Sequence, residues 1–187
     1  MSNFHPTSTW RSKHPYFKNL APKPLQHWLT DRESLTKAII QTCPQKFSVR
    51  VLDESWQQPT YNEARKLQMK PNTLAYVRQV HLFCGDTAWV YARTVIPQPS
   101  LRGELQKLTK LGTQPLAAVL FANKHVQRGE LETTQLSKQH ASYKTALTFS
   151  KKSAELIWGR RSLFFVANNP LMVSEIFLPE IPKKATF

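Results

Sequence analysis

The chain has 187 residues, of which 26 are Lys or Arg and 12 are Asp or Glu, and its formal net charge is +14. This length suits one domain with a buried core and argues against two domains. The charge would attract phosphates, anionic membranes or small anions, but the basic residues are spread along the sequence with only short pairs, which gives little support to a specific nucleic-acid partner.

The N-terminal sequence has no apolar segment of the kind that a secretory signal needs, and no apolar run is long enough to span a bilayer. Cys43 and Cys84 are too few for a disulfide framework and lie in no CxxC pair, so we expect Cys84 to be an inert thiol in a reducing compartment. These features predict a cytoplasmic protein without a transmembrane segment.

The sequence lacks the motifs of metal and cofactor chemistry. The six histidines show no HxxxH or HExxH spacing, and the five glycines form no GxGxxG, GxxxxGK or GxSxG pattern. The sequence therefore predicts no metal site, no nucleotide-binding loop and no serine nucleophile.

The first half of the chain divides into an arm, helices and a strand. Residues 1–22 are polar and interrupted by prolines, so we predict an N-terminal arm ahead of one domain over residues 23–187. From Pro24, apolar residues recur at helical intervals, and the segment TDRES, residues 30–34, separates two short helices. The alternating, β-branched run FSVRVLD, residues 47–53, predicts a strand.

The middle of the chain predicts a hairpin followed by helices. Residues 57–72 indicate a loop with one helical turn, and the alternating runs TLAYVRQVHLFC and AWVYARTVIP, on either side of a Gly-Asp turn, predict an antiparallel hairpin. In SLRGELQKLTKLG, Ser100 can serve as an N-cap and Gly112 as a C-terminal stop, which predicts a helix, and Pro115 begins another.

The last part of the chain is clear only near its end. Residues 123–150 are polar and show no period that assigns a structure. The stretch LIWGRRSLFFVANNPLMVSEIFLP, residues 156–179, predicts two strands joined at an Asn-Asn-Pro turn. Hairpins with helices grouped between them indicate an α+β domain, in which an antiparallel sheet is covered on one side by helices.

Three of the predicted strands each hold one charged residue in an apolar row: Arg78, Arg93 and Glu175. An isolated buried charge costs several kcal/mol, so these groups must meet each other or a ligand. A structural Arg-Glu pair or a solvent-facing row would explain any one of them. Two arginines against one glutamate leave a positive charge, however, which a pocket for an anion would use. Arg160 and Arg161 must point to opposite faces, so at most one of them can join such a pocket.

Four segments together resemble the chorismate lyase family: WLTDRESLTKAI, YVRQVHLFCGDTAWVYARTVIP, LGTQPLAAVLF and the terminal hairpin. The resemblance runs from about residue 25 to residue 182. It implies a six-stranded antiparallel sheet with helices on one face, and a buried pocket that two helical flaps close. It also implies cleavage of chorismate to 4-hydroxybenzoate and pyruvate, the first committed step of ubiquinone biosynthesis, without a metal or organic cofactor.

The resemblance also assigns site residues. Arg78 matches the arginine that binds the ring carboxylate, Glu175 matches the glutamate that meets the ring hydroxyl, and the backbone amides of Leu35 and Leu116 match those of the two flaps. Arg93 is our own candidate for the enolpyruvyl side of the substrate, inferred from its charge and its predicted face. Two positions depart from some family members, which have methionine at Leu35 and glutamate at Gln79; neither change affects the role expected of Arg78.

Two other classes of function remain open at this point. A ligand-binding domain of the same fold, as in some bacterial transcription regulators, would bind an aromatic acid without catalysis. Such a regulator usually carries a helix-turn-helix domain ahead of the sensor, and 22 residues are too few for one. A basic RNA-binding domain would rest on charge alone. We expect a monomer, since no second apolar face is apparent.

Overall fold

The computed structural model describes residues 9–12, 21–120 and 126–182. The strands are β1 (Arg11–Ser12), β2 (Phe47–Gln57), β3 (Ala75–Cys84), β4 (Thr87–Pro97), β5 (Val126–Ser137), β6 (Leu156–Val166) and β7 (Asn169–Phe177). The α-helices are α1 (Lys23–Thr30), α2 (Leu35–Thr42), α3 (Tyr61–Lys66), α4 (Leu116–Leu120) and α5 (Ala141–Ala146). Three 3-10 segments cover Gln98–Ser100, Gly103–Lys110 and Leu147–Phe149.

The seven strands form one antiparallel sheet in the order β1-β5-β6-β7-β4-β3-β2. The α+β class is therefore confirmed, but the predicted number of six strands was wrong. The seventh strand is β1, in which Arg11 and Ser12 from the predicted arm pair with Thr133 and Glu132 at the edge of β5. A strand of two residues is too short to show an alternating pattern in the sequence.

Both predicted hairpins are present. β3 and β4 turn at Gly85 and Asp86, as expected. β6 and β7 turn at Ala167 and Asn168, both at positive φ, so the turn begins earlier than the Asn-Asn-Pro prediction placed it. The following asparagine and proline already belong to β7. Positive φ at both central residues is typical of the tight turn that matches the twist of paired strands.

Helices cover both faces of the sheet, so the prediction of helices on one face was wrong. On one face, Leu35 of α2 packs in a cluster with Val80 and Leu82 of β3. On the other, Tyr143 of α5 packs in a cluster with Tyr91 and Ile176. Nine of the ten residues of β3 are buried, a continuous pattern that belongs to a strand covered on both sides. We call the side that carries Arg78, Val80, Ala92, Thr94 and Glu175 the pocket face.

The predicted helix over residues 100–112 is instead formed of 3-10 turns. Ser100 lies within the first 3-10 segment rather than capping a helix. Leu105, Leu108 and Leu111 are buried together against the pocket face, and their spacing of three residues fits the three-residue turn of a 3-10 helix. Gly112 follows at φ +52 and ends the segment as predicted.

Cys43 and Cys84 form a disulfide with a Cα–Cα distance of 5.6 Å, which corrects the prediction of an inert thiol at Cys84. Cys43 follows the last residue of α2, and Cys84 is the last residue of β3. The two positions approach because Phe47 at the start of β2 pairs with Cys84. The disulfide therefore ties α2 covalently to the sheet.

Candidate active site

The helices over the pocket face leave a cavity of about 590 Å³, which includes its opening to solvent. Its walls are mostly apolar and include Val49, Val80, Leu82, Phe164 and Val173. The charged residues that line it are Glu33, Arg78, Arg128 and Glu175. Apolar walls with a few charged groups are typical of a site for a small organic molecule.

Arg78 lies within β3 and is 3% exposed. Its Nε donates to Glu54 Oε1 at 2.5 Å, and its Nη2 donates to the carbonyl oxygens of Gly112 at 2.7 Å and Gln114 at 3.2 Å. A guanidinium has five N–H groups, so three are used and the two on Nη1 have no hydrogen-bond partner among the described residues. Arg78 thus holds the chain before α4 and keeps donors for a ligand.

Glu175 lies in β7 and is paired with Arg160 of β6. The two residues are directly opposite in the strand pairing, and Arg160 Nε donates to Glu175 Oε2 at 2.6 Å. Arg160 is 1% exposed, and its Nη1 also donates to the carbonyl oxygens of Trp28 and Asp31. Arg160 therefore joins Glu175 to α1 and to the loop that follows it.

The residues around this pair follow the predicted alternation. Arg161 points to the other face, where it donates to Glu132 Oε2 and Asn62 Oδ1, each at 2.6 Å. Gly159, which precedes the two arginines, lies where a Cβ would be 3.0 Å from the carbonyl oxygen of Glu175. A glycine at this position allows β6 and β7 to approach closely.

The strand register fixes the separation of Arg78 and Glu175. Arg78 pairs with Thr94 of β4, and Glu175 pairs with Ala92, two residues along the same strand. The two residues are therefore two strand spacings apart across the sheet and two residues apart along the strands. This separation places their Cα atoms roughly 12 Å apart. The two long side chains can therefore line one cavity and hold a ring between their ends.

Leu35 and Leu116 also line the cavity. Leu35 is the first residue of α2, and Leu116 is the first residue of α4. Backbone N–H groups in the first turn of a helix have no partner within the helix. Five site residues were predicted from the sequence, and the fold brings four of them to one cavity: Leu35, Arg78, Leu116 and Glu175.

Arg93 does not join them, so the prediction that it shares their face was wrong. It pairs with Gln79 and Ser174 and points to the opposite face, because Thr94 is the residue that stands beside Arg78. There Arg93 forms a two-point ion pair with Glu63 of α3, with distances of 2.8 and 3.1 Å. Burial alone would lower the pKa of Arg93, but this glutamate raises it above the usual value.

Arg128 of β5 lines the cavity and was missed from the sequence. Its Nε donates to Ser162 Oγ at 3.1 Å, and its Nη1 donates to the carbonyl oxygen of Arg32 at 2.7 Å. Its guanidinium carbon lies 5.2 Å from the ring centre of Phe164. Burial lowers the pKa of Arg128, and the carboxylate of Glu175 opposes that shift. The strand pairing is irregular between Arg128 and Leu131, which removes the alternation that would have shown this face.

Within residues 9–12, 21–120 and 126–182, no three side chains of His, Cys, Asp or Glu come together as metal ligands do. None of the helices in these ranges has the length and apolar character to cross a membrane.

Comparison with known proteins identifies the family. A family model described as chorismate lyase matches residues 7–187. The chain belongs to the chorismate lyase family. It is 40% identical over 159 residues to a Marinobacter nauticus protein named "Probable chorismate pyruvate-lyase", with 84% of this chain and 78% of that protein covered. A protein of the same name from Aromatoleum aromaticum is 35% identical, with 94% of each chain covered.

Solved structures support the fold of this chorismate lyase family member. The C-terminal domain of PhnF superposes with a TM-score of 0.57 at 8% identity, over 76% of this chain and 89% of that one. A GntR-family transcriptional regulator from Bacillus cereus gives a TM-score of 0.54 at 9% identity, over 76% and 99%. At these identities the likeness concerns the fold alone.

Proposed function

We propose that the protein is a chorismate lyase that converts chorismate to 4-hydroxybenzoate and pyruvate in the cytoplasm, as the first committed step of ubiquinone biosynthesis. The observation that carries the proposal is the cavity that Arg78 and Glu175 line together with mostly apolar residues. A six-membered ring with a carboxylate and a hydroxyl at opposite positions matches this arrangement of a cation, an apolar space and a hydrogen-bond acceptor.

Arg78 would bind the ring carboxylate. Its Nε and Nη2 are engaged by Glu54 and by two backbone carbonyls, so the carboxylate would accept hydrogen bonds from the two N–H groups of Nη1. Hydrogen bonds between charged partners are about twice as strong as neutral ones. The first-turn amides of Leu35 and Leu116 would complete the donor set around the carboxylate.

Glu175 would accept a hydrogen bond from the ring hydroxyl. Arg160 holds one carboxylate oxygen at 2.6 Å, which fixes the orientation of the group and leaves the other oxygen for the ligand. Contacts of this kind place the ring without a covalent bond to the protein.

The reaction needs little chemistry from the protein. The C4 hydrogen leaves as a proton and its bonding electrons form the new ring double bond, while the electrons of the broken C–O bond go to the enolpyruvate oxygen. The enolpyruvate takes up one proton to become pyruvate, so no net proton is gained or lost. Chorismate thus gives one 4-hydroxybenzoate and one pyruvate with no other reactant, and aromatisation drives the step. The protein contributes a fixed geometry, donors for developing negative charge and a site shielded from water.

Two chain segments would act as flaps over the cavity. One contains α1, α2 and the loop between them, whose carbonyl oxygens bind Arg160. The other runs from the 3-10 segment Gly103–Lys110 to α4, and Arg78 binds its carbonyl oxygens. Because the product would leave only when a flap opens, we expect slow release and inhibition by 4-hydroxybenzoate.

The alternative is an aromatic-acid-binding domain without catalysis, which the regulator-like fold permits. Two measurements on the same preparation separate the alternatives: the affinity for 4-hydroxybenzoate by titration calorimetry, and the loss of chorismate absorbance with time. A lyase binds the product and consumes chorismate. Binding without consumption would favour the sensor.

A further inference from the structure

We propose that Arg128 binds the carboxylate of the enolpyruvyl side chain and so distinguishes substrate from product. This inference rests on the proposed function, since it assigns the second charge of chorismate. Chorismate carries one carboxylate on the ring and one on the enolpyruvyl group. The free donors of Arg78 serve the first, and the second needs another cation within the same cavity.

The ion pairs on the pocket face leave Arg128 as that cation. Arg78 would hold the ring carboxylate, and Arg160, which is paired with Glu175, is not among the residues that line the cavity. Arg128 forms no ion pair within the described ranges, and neither does Glu33, an exposed carboxylate on the cavity wall. A half-buried guanidinium without a carboxylate partner is costly unless an anion reaches it.

The position of Arg128 matches the chemistry of the substrate. The enolpyruvyl ether is attached to the ring carbon next to the one that carries the hydroxyl, so its carboxylate belongs at the Glu175 end of the cavity. Arg128 reaches Ser162, which pairs with Val173 two residues before Glu175. Across the sheet the order is therefore Arg78, Glu175 and then Arg128, so the strand of Arg128 lies nearer to that of Glu175 than to that of Arg78.

The guanidinium of Arg128 is held in place with donors to spare. Ser162 Oγ accepts from Nε, and the carbonyl oxygens of Arg32 and Glu33 accept from Nη1 at 2.7 and 3.4 Å. Its guanidinium carbon lies over the ring of Phe164. Nη2 has no hydrogen-bond partner among the described residues, so its two N–H groups can meet a carboxylate.

The same contacts also connect Arg128 to the first flap. Arg32 and Glu33 lie in the loop between α1 and α2, just before Leu35. Arg128 would therefore bind the enolpyruvyl carboxylate and also hold the first flap in place. In the reverse direction, Arg32 Nη2 donates to the carbonyl oxygen of Gly129 at 3.2 Å. When the C–O bond breaks, the carboxylate leaves with pyruvate and Arg128 loses its ligand, whereas 4-hydroxybenzoate keeps the partners of its ring carboxylate and hydroxyl.

The test compares substrate and product in the Arg128→Gln and Arg128→Lys variants of the full chain. We expect kcat/KM for chorismate to fall roughly 10- to 100-fold in Arg128→Gln, as for loss of a charged hydrogen bond, while the Kd of 4-hydroxybenzoate stays within about twofold. Arg128→Lys should recover part of the loss. Arg65→Gln removes one exposed positive charge from α3 and should change neither quantity.

Each other outcome has a defined meaning. If Arg128→Gln and Arg128→Lys weaken 4-hydroxybenzoate binding as much as they reduce kcat/KM, Arg128 acts only through the flap or the fold, and the inference is wrong. Unchanged kcat/KM in Arg128→Gln would also overturn it. If the wild-type protein does not convert chorismate at all, the proposed function itself fails, and this inference fails with it.

Discussion

Arg160 and Glu175 form a buried ion pair across β6 and β7, with 2.6 Å between Nε and Oε2. The arginine side chain is 1% exposed and the glutamate side chain 16% exposed. Little water reaches either charge, so each is stabilised mainly by the other. The same arginine binds the carbonyl oxygens of Trp28 and Asp31. Arg160 thus links the carboxylate of Glu175, the proposed hydroxyl acceptor, to the first flap.

Loss of Arg160 should therefore destabilise the fold. We expect Arg160→Gln to lower the free energy of unfolding by about 3 kcal/mol, because it leaves Glu175 and two carbonyl oxygens without their partner. Urea unfolding at neutral pH measures the change. The Arg65→Gln variant loses the same charge from an exposed position and should stay within about 0.5 kcal/mol of wild type. A similarly small change in Arg160→Gln would show that the pair contributes little.

Arg78→Ala should weaken substrate and product together. Both carry the ring carboxylate, so we expect kcat/KM for chorismate to fall at least about 100-fold and the Kd of 4-hydroxybenzoate to rise at least about 10-fold. Steady-state kinetics and calorimetry give the two values. This pattern differs from the one expected for Arg128, which should spare the product. Near-normal turnover in Arg78→Ala would refute the assignment of Arg78.

Glu175→Gln tests the hydroxyl partner with little change of shape. The amide replaces a charged acceptor with a neutral one and leaves Arg160 without its counter-charge, so we expect kcat/KM to fall roughly 10-fold or more. Circular dichroism and the unfolding midpoint would establish that the variant is folded. Unchanged kinetics for a folded Glu175→Gln protein would remove Glu175 from the site.

The disulfide between Cys43 and Cys84 should stabilise the oxidised protein. It closes a loop with a sequence separation of 41 residues, and the loss of such a link costs about 2–4 kcal/mol in the usual range. Urea unfolding with and without a reductant should show this difference in the wild type, whereas the Cys43→Ser/Cys84→Ser double variant should not respond to the reductant. If thiol titration of the denatured wild-type protein, without reductant, finds two free thiols, Cys43 and Cys84 do not form a disulfide.

Local patterns predicted the hairpins and the first two helices correctly. The alternation of β3 and β4 and the helical spacing before and after residues 30–34 depend on neighbouring residues, and the structure has these elements. The same alternation placed Arg160 and Arg161 on opposite faces. Arg78 and Glu175 were identified because their charge interrupts an apolar row and because the motifs around them resemble a family.

The wrong and missed predictions concern features that depend on how distant strands pair. Which face Arg93 takes relative to Arg78 depends on the register between β3 and β4, and alternation within one strand does not give that register. The irregular pairing at Arg128 concealed a cavity residue. The disulfide joins residues that only the pairing of β2 with β3 brings together. A sequence pattern describes one element at a time, whereas these features depend on two.

The most direct test of the central claim is to quantify both products formed from chorismate by the wild-type protein. Chromatography of the aromatic product and an enzymatic assay for pyruvate, over time and at several protein concentrations, give the stoichiometry. The account predicts one 4-hydroxybenzoate and one pyruvate for each chorismate consumed, at a rate proportional to protein and strongly reduced in Arg78→Ala. Chorismate that binds in the cavity without conversion, or a rate that Arg78→Ala leaves unchanged, would contradict it.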